Sequence, residues 1–305
     1  MPMALILALF LLLAPVAPAG AASPLADAAW LARNLSRVVV IDVRPAARYA
    51  RGHIPGALSL PFSIDAGPWT HARYGVKGFL APIDDLAAAL GAAGISRDSP
   101  LVVVAGSGPA ALAAGARVFW SLRVLGHQDL RLLDGGMSAW RAIGGALSTR
   151  PARRPAQHYL PRPDFSILAT LDQTRDALDN NVPPIDARDM DRFYGYRNDL
   201  GEEDGGTILD AVNVPAETLL DAASGRYLPA PALRRAFLSR GAVLDQRQVV
   251  TFSTWGVSAA LAWFALHEIL HVPDTRLYDG SLAEWAAEGM DLYDSTDGMG
   301  GVIGG

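Results

Sequence analysis

Two copies of one pattern occupy the two halves of this chain, and their motifs follow in the same order. A short apolar run ends in Asp-x-Arg at Asp42–Arg44 and again at Asp186–Arg188. A second apolar run, a loop and an apolar helix follow. Each copy then closes on an Asp-Gly step, at Asp134-Gly135 and Asp279-Gly280. Strand and helix signals that alternate in this way predict a duplicated α/β fold.

The apolar runs indicate the type of sheet. Val38–Ile41 and Leu101–Val104 are continuous apolar runs, without the alternation of a half-exposed strand. Such runs are typical of parallel strands that helices cover on both faces. Four aromatic residues lie at core spacing on two of the predicted helices and are expected inside the fold: Phe119, Trp120, Trp263 and Phe264.

Composition suggests where the two copies begin and end. Proline and arginine dominate residues 150–155, and this composition predicts an extended linker over 151–165. The first copy is assigned to residues 25–150 and the second to residues 166–295. Glycine dominates residues 296–305, which are predicted to form a flexible tail.

Residues 1–22 are interpreted as a signal peptide. Residues 4–16 are apolar, and Pro18–Ala22 supplies the small residues that precede a cleavage site after Ala21 or Ala22. No Lys or Arg stands before Arg33, so an uncleaved N-terminal anchor is the alternative. Cleavage predicts a periplasmic or secreted protein. No later stretch approaches the roughly 20 apolar residues of a membrane span.

Charge and cysteine content limit the classes of partner. The net charge of −5 and the scattered basic residues argue against nucleic acid, which requires clustered Lys and Arg. The chain contains no cysteine, which excludes disulfides, thiolate metal sites and iron–sulfur clusters. A cysteine-free chain also fits an oxidising compartment. No cofactor and no metal is assigned.

The order of the motifs resembles the tandem rhodanese family, the thiosulfate and mercaptopyruvate sulfurtransferases. The resemblance rests on Asp42–Arg44, Gly52–Ala57, Leu133–Gly136 and Trp140 in the first copy, and on Asp186–Arg188, Gly206–Pro215 and Tyr278–Trp285 in the second. It implies two rhodanese-like domains, each a five-stranded parallel sheet flanked by helices. It also implies sulfur transfer through a cysteine of the C-terminal copy, which becomes a persulfide between two half-reactions.

Ser253 occupies the position of that cysteine. It follows an apolar strand, with Gly256 three residues later and Ala259 six residues later, and Ala105 is its counterpart in the first copy. A serine hydroxyl is far less acidic than a thiol, and an alkoxide forms no stable analogue of a persulfide. The chain is therefore predicted to be a pseudoenzyme. The alternative is a sulfurtransferase of weak or altered activity, which brings a sulfur donor and an external thiol together.

The loop after Ser253 is the candidate binding site. Backbone N–H groups ahead of a helix bind oxyanions without any nucleophile, so a small sulfur oxyanion is one candidate partner. A thiol-bearing protein is the other candidate partner, and a serine-capped strand-to-helix turn is the alternative to any binding role. The residues assigned to this anion-binding loop are Thr254, Trp255, Gly256, Val257, Ser258 and Ala259.

The resemblance assigns roles to the Asp-x-Arg pairs. Asp42, Arg44 and Asp186 are expected to tie loops beneath the site, and Arg188 is the candidate for a contact with the substrate. The segment Arg192–Arg197 precedes an acidic loop. It is expected to be a solvated loop, and gating of a ligand is the alternative.

Two other catalytic patterns are weaker. His267–His271 matches H-E-x-x-H in letters, but it falls on the helix predicted after the loop, and no third ligand stands at a known spacing. Ser253 lies outside a G-x-S-x-G elbow, and the sequence places no histidine beside it. Neither zinc catalysis nor serine hydrolysis is therefore assigned. The two-copy architecture resembles an internal dimer, so a monomer is expected.

Overall fold

The described residues of the computed structural model are 23–201, 205–245 and 248–294. The predicted signal peptide, the predicted tail and residues 202–204 of the acidic loop lie outside these ranges. Within them, no helix combines the length and the apolar character needed to cross a bilayer.

The first copy folds into a parallel sheet of five strands, with an antiparallel hairpin inserted after the third. The strands are β1 (Leu25–Ala26), β2 (Val39–Asp42), β3 (Leu58–Ser59), the hairpin β4 (Thr70–Arg73) and β5 (Val76–Leu80), β6 (Leu101–Val104) and β7 (Leu130–Leu133). The sheet order is β1-β7-β6-β2-β3. The helices are α1 (Ala28–Asn34), α2 (Ala46–Ala50), α3 (Ile83–Ala92), α4 (Pro109–Val124) and α5 (Gly136–Ala142).

The second copy repeats this topology. Its strands are β8 (Leu168–Ala169), β9 (Ile185–Asp186), β10 (Val212–Asn213), β11 (Val249–Phe252) and β12 (Thr275–Tyr278), in the order β8-β12-β11-β9-β10. Its α-helices are α6 (Leu171–Asp179), α7 (Met190–Phe193), α8 (Ala230–Leu238), α9 (Val257–Trp263) and α10 (Ser281–Ala287). Two 3₁₀ turns span Phe165–Ile167 and Ala216–Leu219, and α9 continues as a π-helix over Phe264–Ile269.

Both sheets confirm the parallel α/β fold that the sequence predicts. The strands β2, β6 and β11 are buried along their whole length, as strands covered on both faces must be. The strand β2 pairs with β6 from Val39 opposite Leu101 to Asp42 opposite Val104. In the second sheet Phe252 of β11 pairs with Asp186 of β9. Each Asp-x-Arg motif therefore lies beside the loop that follows the central strand.

The four aromatic residues expected in the core are all fully buried. Two of them join the domains, because α4 packs against α9 and the rings of Phe119 and Phe264 meet edge to face at 4.8 Å. Tyr227 stacks on Phe264 from the other side, with 5.0 Å between the ring centroids. One apolar core thus extends across both copies and fixes the second site against the first domain.

A buried ion pair crosses the same interface. Arg117 of α4 is 0% exposed, and its Nη2 pairs with the carboxylate of Asp279, the aspartate of the second Asp-Gly step. The same Nη2 donates to the carbonyl of Gly78 at 3.1 Å, and the guanidinium lies 4.4 Å from the centroid of the Trp120 ring. Asp279 also accepts the N–H of Leu80 at 2.9 Å. This carboxylate therefore binds both α4 and the hairpin of the first domain.

The first Asp-Gly step makes the reciprocal contact. The carboxylate of Asp134, in the first domain, accepts the N–H of Tyr227, in the second domain, at 2.9 Å. The aspartate of each Asp-Gly step therefore binds the backbone of the other domain. The linker runs along the first domain without helix or strand over 151–164. Its backbone is bound there, for example by the N–H of Gln157 on the carbonyl of Gly91 at 2.8 Å.

Asp279→Ala is expected to lower the free energy of unfolding by about 3–5 kcal/mol, because it leaves Arg117 charged, buried and unpaired. Chemical denaturation of the purified protein measures the change. The matched control is Asp65→Ala, which breaks the exposed pair with Lys77 (2.8 Å) and is expected to cost less than about 1 kcal/mol. Equal effects of the two substitutions would show that the buried pair does not hold the domains together.

Candidate functional site

Ser253 begins the loop at the carboxyl end of the central strand β11. Ligand crevices of open α/β sheets lie at this end of the strands. Ser253 is 2% exposed and lines a cavity of about 390 Å³. Its N–H donates to Ser281 Oγ at 3.3 Å, and its carbonyl accepts the N–H of Leu282 at 3.0 Å. Its Oγ has no hydrogen-bond partner among the described residues, so it is available to a ligand.

The loop offers unused donors beside Ser253. The five N–H groups from Thr254 to Ser258 have no acceptor in the described part of the chain. Four of the six residues assigned to the anion-binding loop line the cavity, namely Thr254, Trp255, Val257 and Ser258. The other two, Gly256 and Ala259, are buried behind it. The loop therefore has the donors that an oxyanion needs, although none of its own side chains is cationic.

Glycine is required at position 256 for two reasons. Its φ of +71° lies in the left-handed region, where a side chain is strained. A Cβ added there would also lie 2.7 Å from Nη1 of Arg117. The loop turns at Gly256 because the interdomain ion pair occupies the space behind it.

Arg188 lines the cavity, but most of its donors are already engaged. Its Nε and Nη2 donate to the carboxylate of Asp186 at 3.0 and 2.6 Å, and Nη2 also reaches the carbonyl of Gly206 at 2.7 Å. Arg44 makes the same contacts with Asp42 and with the carbonyl of Gly52. This matched geometry is that of a loop anchor in both domains. A substrate contact by Arg188 stays a prediction.

A second cluster, Asp189, Arg192 and Asp199, lines the cavity beside the loop. Arg192 binds Asp199 through Nε (2.5 Å) and Nη2 (3.0 Å), and it also pairs with Asp189. Thr254 Oγ1 donates to Asp199 at 3.2 Å. Within the segment Arg192–Arg197, which is expected to be a solvated loop, Arg192 lines the cavity, and so does Asp199 beyond that segment.

The carboxylates of this cluster are ionised at neutral pH. Burial opposes the ionisation of Asp199, but the hydrogen bonds from Arg192 and Thr254 and the charge of Arg192 outweigh it and lower its pKa. Burial likewise opposes ionisation of Asp189, and its bonds with Arg192 lower its pKa. Glu217 also lines the cavity and makes no salt bridge among the described residues. The charge on the cavity wall that no salt bridge compensates, that of Glu217, is therefore negative.

The first domain completes the site. Pro109, Ala110 and Ala113 from the start of α4 line the cavity. The hairpin β4–β5 covers Trp255, because a Cβ added at Gly78 (φ +92°) would lie 3.0 Å from Trp255 Cβ. Lys77 Nζ lies 5.1 Å from the centroid of the Trp255 ring. Trp255 thus packs beneath the hairpin, and the cavity lies between the two domains.

The residues of the H-E-x-x-H pattern, His267–His271, do not form a metal-binding face on a helix. Glu268 accepts from Nε and Nη2 of Arg123, both at 3.0 Å, and His267 stacks on Trp263 with ring centroids 4.6 Å apart. His271 has φ +52° and lies beyond the π-helix, which ends at Ile269. The two histidines therefore do not stand on adjacent turns of an α-helix.

Sequence reasoning missed Arg117, Asp199 and Glu217. For Arg117 a signal existed, since it lies in the middle of a largely apolar helix, where an arginine must find a buried partner. No comparable signal marked Asp199, which is 55 residues from Thr254 in sequence.

The comparisons with known proteins agree with this geometry. The sequence model of the Rhodanese-like domain family matches residues 27–143 and 170–288. A probable 3-mercaptopyruvate sulfurtransferase of Pseudomonas aeruginosa is 33% identical over 281 residues, which are 87% of this chain and 95% of that protein. A putative thiosulfate sulfurtransferase of Haloferax volcanii is 29% identical over 256 residues, 82% of this chain and 85% of the relative.

A solved structure shows the same architecture. The 3-mercaptopyruvate sulfotransferase SseA of Escherichia coli superposes with a TM-score of 0.74 at 27% identity and covers 85% of this chain and 99% of its own. The two family matches together span more than half of the chain. The duplicated motifs, the two five-stranded parallel sheets and these similarities lead to one conclusion: the chain belongs to the rhodanese family and carries its domain twice.

Proposed function

We propose that this protein is a non-catalytic tandem rhodanese that binds a small sulfur oxyanion or a thiol-bearing partner in the cavity at Ser253. One observation carries the proposal. Ser253 stands where the family resemblance places the sulfur-carrying cysteine, and its hydroxyl lines a cavity in which no histidine is found among the described residues. The binding surface is kept, while the group that forms the persulfide is replaced.

The surroundings do not turn Ser253 into a nucleophile. A serine hydroxyl needs an adjacent general base, and no histidine lines the cavity. Asp199 is a poor proton acceptor, because the hydrogen bonds that lower its pKa also stabilise its carboxylate. Sulfur transfer in this family would further require a stable sulfur–sulfur bond to the protein, which an oxygen atom does not provide.

The hydrogen-bond donors of the loop determine which ligand the cavity can bind. Five backbone N–H groups and the hydroxyls of Ser253 and Ser258 are available, whereas Arg188 and Arg192 are paired with carboxylates. The unpaired carboxylate of Glu217 repels a dianion. We therefore infer a weak site for thiosulfate, with a Kd on the order of 1 mM, or about 4 kcal/mol of binding free energy.

Purified wild-type protein is expected to form no thiocyanate from thiosulfate and cyanide, because it lacks the thiolate. In Ser253→Cys the thiolate attacks the outer sulfur of thiosulfate, the sulfur–sulfur bond breaks, sulfite leaves, and a persulfide remains on the protein. Intact-protein mass spectrometry is expected to show the gain of one sulfur atom. The matched control is Ser258→Cys, which lines the same cavity away from the nucleophile position.

Turnover by the wild-type protein that survives Ser253→Ala would contradict the non-catalytic function. It would favour the second candidate, a sulfurtransferase that brings its donor and an external thiol together in the cavity. A folded Ser253→Cys variant that gains no sulfur would contradict the placement of the nucleophile at position 253.

Titration calorimetry with thiosulfate tests the binding function. Glu217→Gln removes the unpaired carboxylate and is expected to tighten binding by about 2–5-fold at low salt, the size of an exposed charge interaction. The control Asp172→Asn changes net charge equally on α6, away from the cavity, and is expected to leave Kd unchanged. Absence of binding up to about one hundred times the expected Kd would contradict the oxyanion function.

Export remains part of the proposal and rests on residues 1–22 alone. The chain isolated from its native host is expected in the periplasmic or extracellular fraction, with Ala22 or Ser23 as its first residue. N-terminal sequencing makes the measurement. A chain that retains Met1 and sediments with membranes would instead show an uncleaved anchor.

A further inference from the structure

A second cavity lies in the first domain at the place that corresponds to the Ser253 site. Its volume is about 510 Å³, against about 390 Å³ at Ser253. The loop after β6 forms one wall, with Gly106 and Ser107, and Ala105 stands at the position of the nucleophile. Alanine at this position carries no group that could hold a sulfur atom.

The wall of this cavity is cationic. Three arginines line it, Arg44, Arg48 and Arg141, and no Asp or Glu of the described ranges is among its lining residues. The charge of Arg44 is matched by Asp42. Arg48 and Arg141 are exposed and make no salt bridge within the described ranges. Two unpaired positive charges therefore face this cavity, whereas the unpaired charge at the Ser253 cavity is negative.

Polar donors add to this charge. Ser138 Oγ donates to Ser107 Oγ at 2.6 Å, which leaves the hydroxyl proton of Ser107 free for another acceptor. The N–H groups of Gly106, Ser107 and Gly108 have no acceptor among the described residues. An anionic group placed between this loop and the two free arginines would receive charge-assisted hydrogen bonds.

The remaining wall is apolar. Val43, Pro45, Phe62, Ala114 and Met137 contribute carbon surface beside the arginines. A cavity that combines an apolar wall with a few convergent polar groups is typical of sites for small organic ligands. An inorganic oxyanion would leave this surface in contact with water.

We propose that the first-domain cavity binds a small organic anion, with one sulfonate or carboxylate group toward Arg48 and Arg141 and an apolar body against Phe62 and Met137. The two cavities share Ala110 at the start of α4, but they have different unpaired charges and different loops, so this site does not rest on the proposed function at Ser253. The duplication thus provides two binding sites of different preference.

Titration calorimetry with benzenesulfonate and its neutral analogue benzenesulfonamide tests the proposal on the full-length protein. Benzenesulfonate is expected to bind at least about tenfold more tightly than the sulfonamide, because only the sulfonate gains from the guanidinium charges. The double variant Arg48→Gln/Arg141→Gln is expected to abolish this preference. The control Arg33→Gln/Arg175→Gln removes the same net charge at exposed residues outside the cavity and is expected to retain it.

Three results would overturn the proposal. Equal affinity for sulfonate and sulfonamide would show that no cationic site is present. Equal loss in both double variants would show an effect of net charge alone. A change in benzenesulfonate affinity caused by Glu217→Gln, with none caused by Arg48→Gln/Arg141→Gln, would place the ligand at the Ser253 cavity. Since all four arginines are exposed, the variants are expected to keep the thermal stability of the wild type.

Discussion

The buried ion pair between Arg117 and Asp279 is the contact on which the arrangement of the two domains depends. A guanidinium without solvent exposure is tolerated only when a carboxylate and further acceptors compensate it. Asp279 supplies that charge and also binds the backbone of the hairpin through Leu80. The same guanidinium occupies the space behind Gly256. The interdomain interface and the turn of the candidate binding loop therefore depend on the same side chain.

This dependence means that the shape of the loop is set by contacts other than the side chain of Ser253, the residue proposed to replace a nucleophile. The loop after Ser253 is held by its backbone, through Ser281 and Leu282, and by the glycine turn against Arg117. None of these contacts involves the side chain at position 253. The backbone of the loop and its free donors therefore do not depend on which side chain stands at position 253. Fold and activity are separable for this reason, and function must be argued from the site.

The two cavities show how duplicated domains diverge. In both, the Asp-x-Arg pair anchors a loop through one carbonyl, that of Gly52 or Gly206. The cavities differ in the side chains added around that common frame. In the second cavity the unpaired charge is that of Glu217, whereas in the first cavity it is that of Arg48 and Arg141. Electrostatic preference has thus changed without a change of backbone topology.

The sequence by itself determined the parallel sheets, the aromatic core and the family, because these follow from local runs and from motifs repeated in order. It also singled out Ser253 as the candidate site residue, since the strand before it and Gly256 after it define a local register. Only the tertiary structure decided the partners of Arg117 and Thr254, which lie 162 and 55 residues away along the chain. Such pairs produce no periodic pattern in the sequence, because the charge of a cavity wall depends on which distant loops the packed domains bring together.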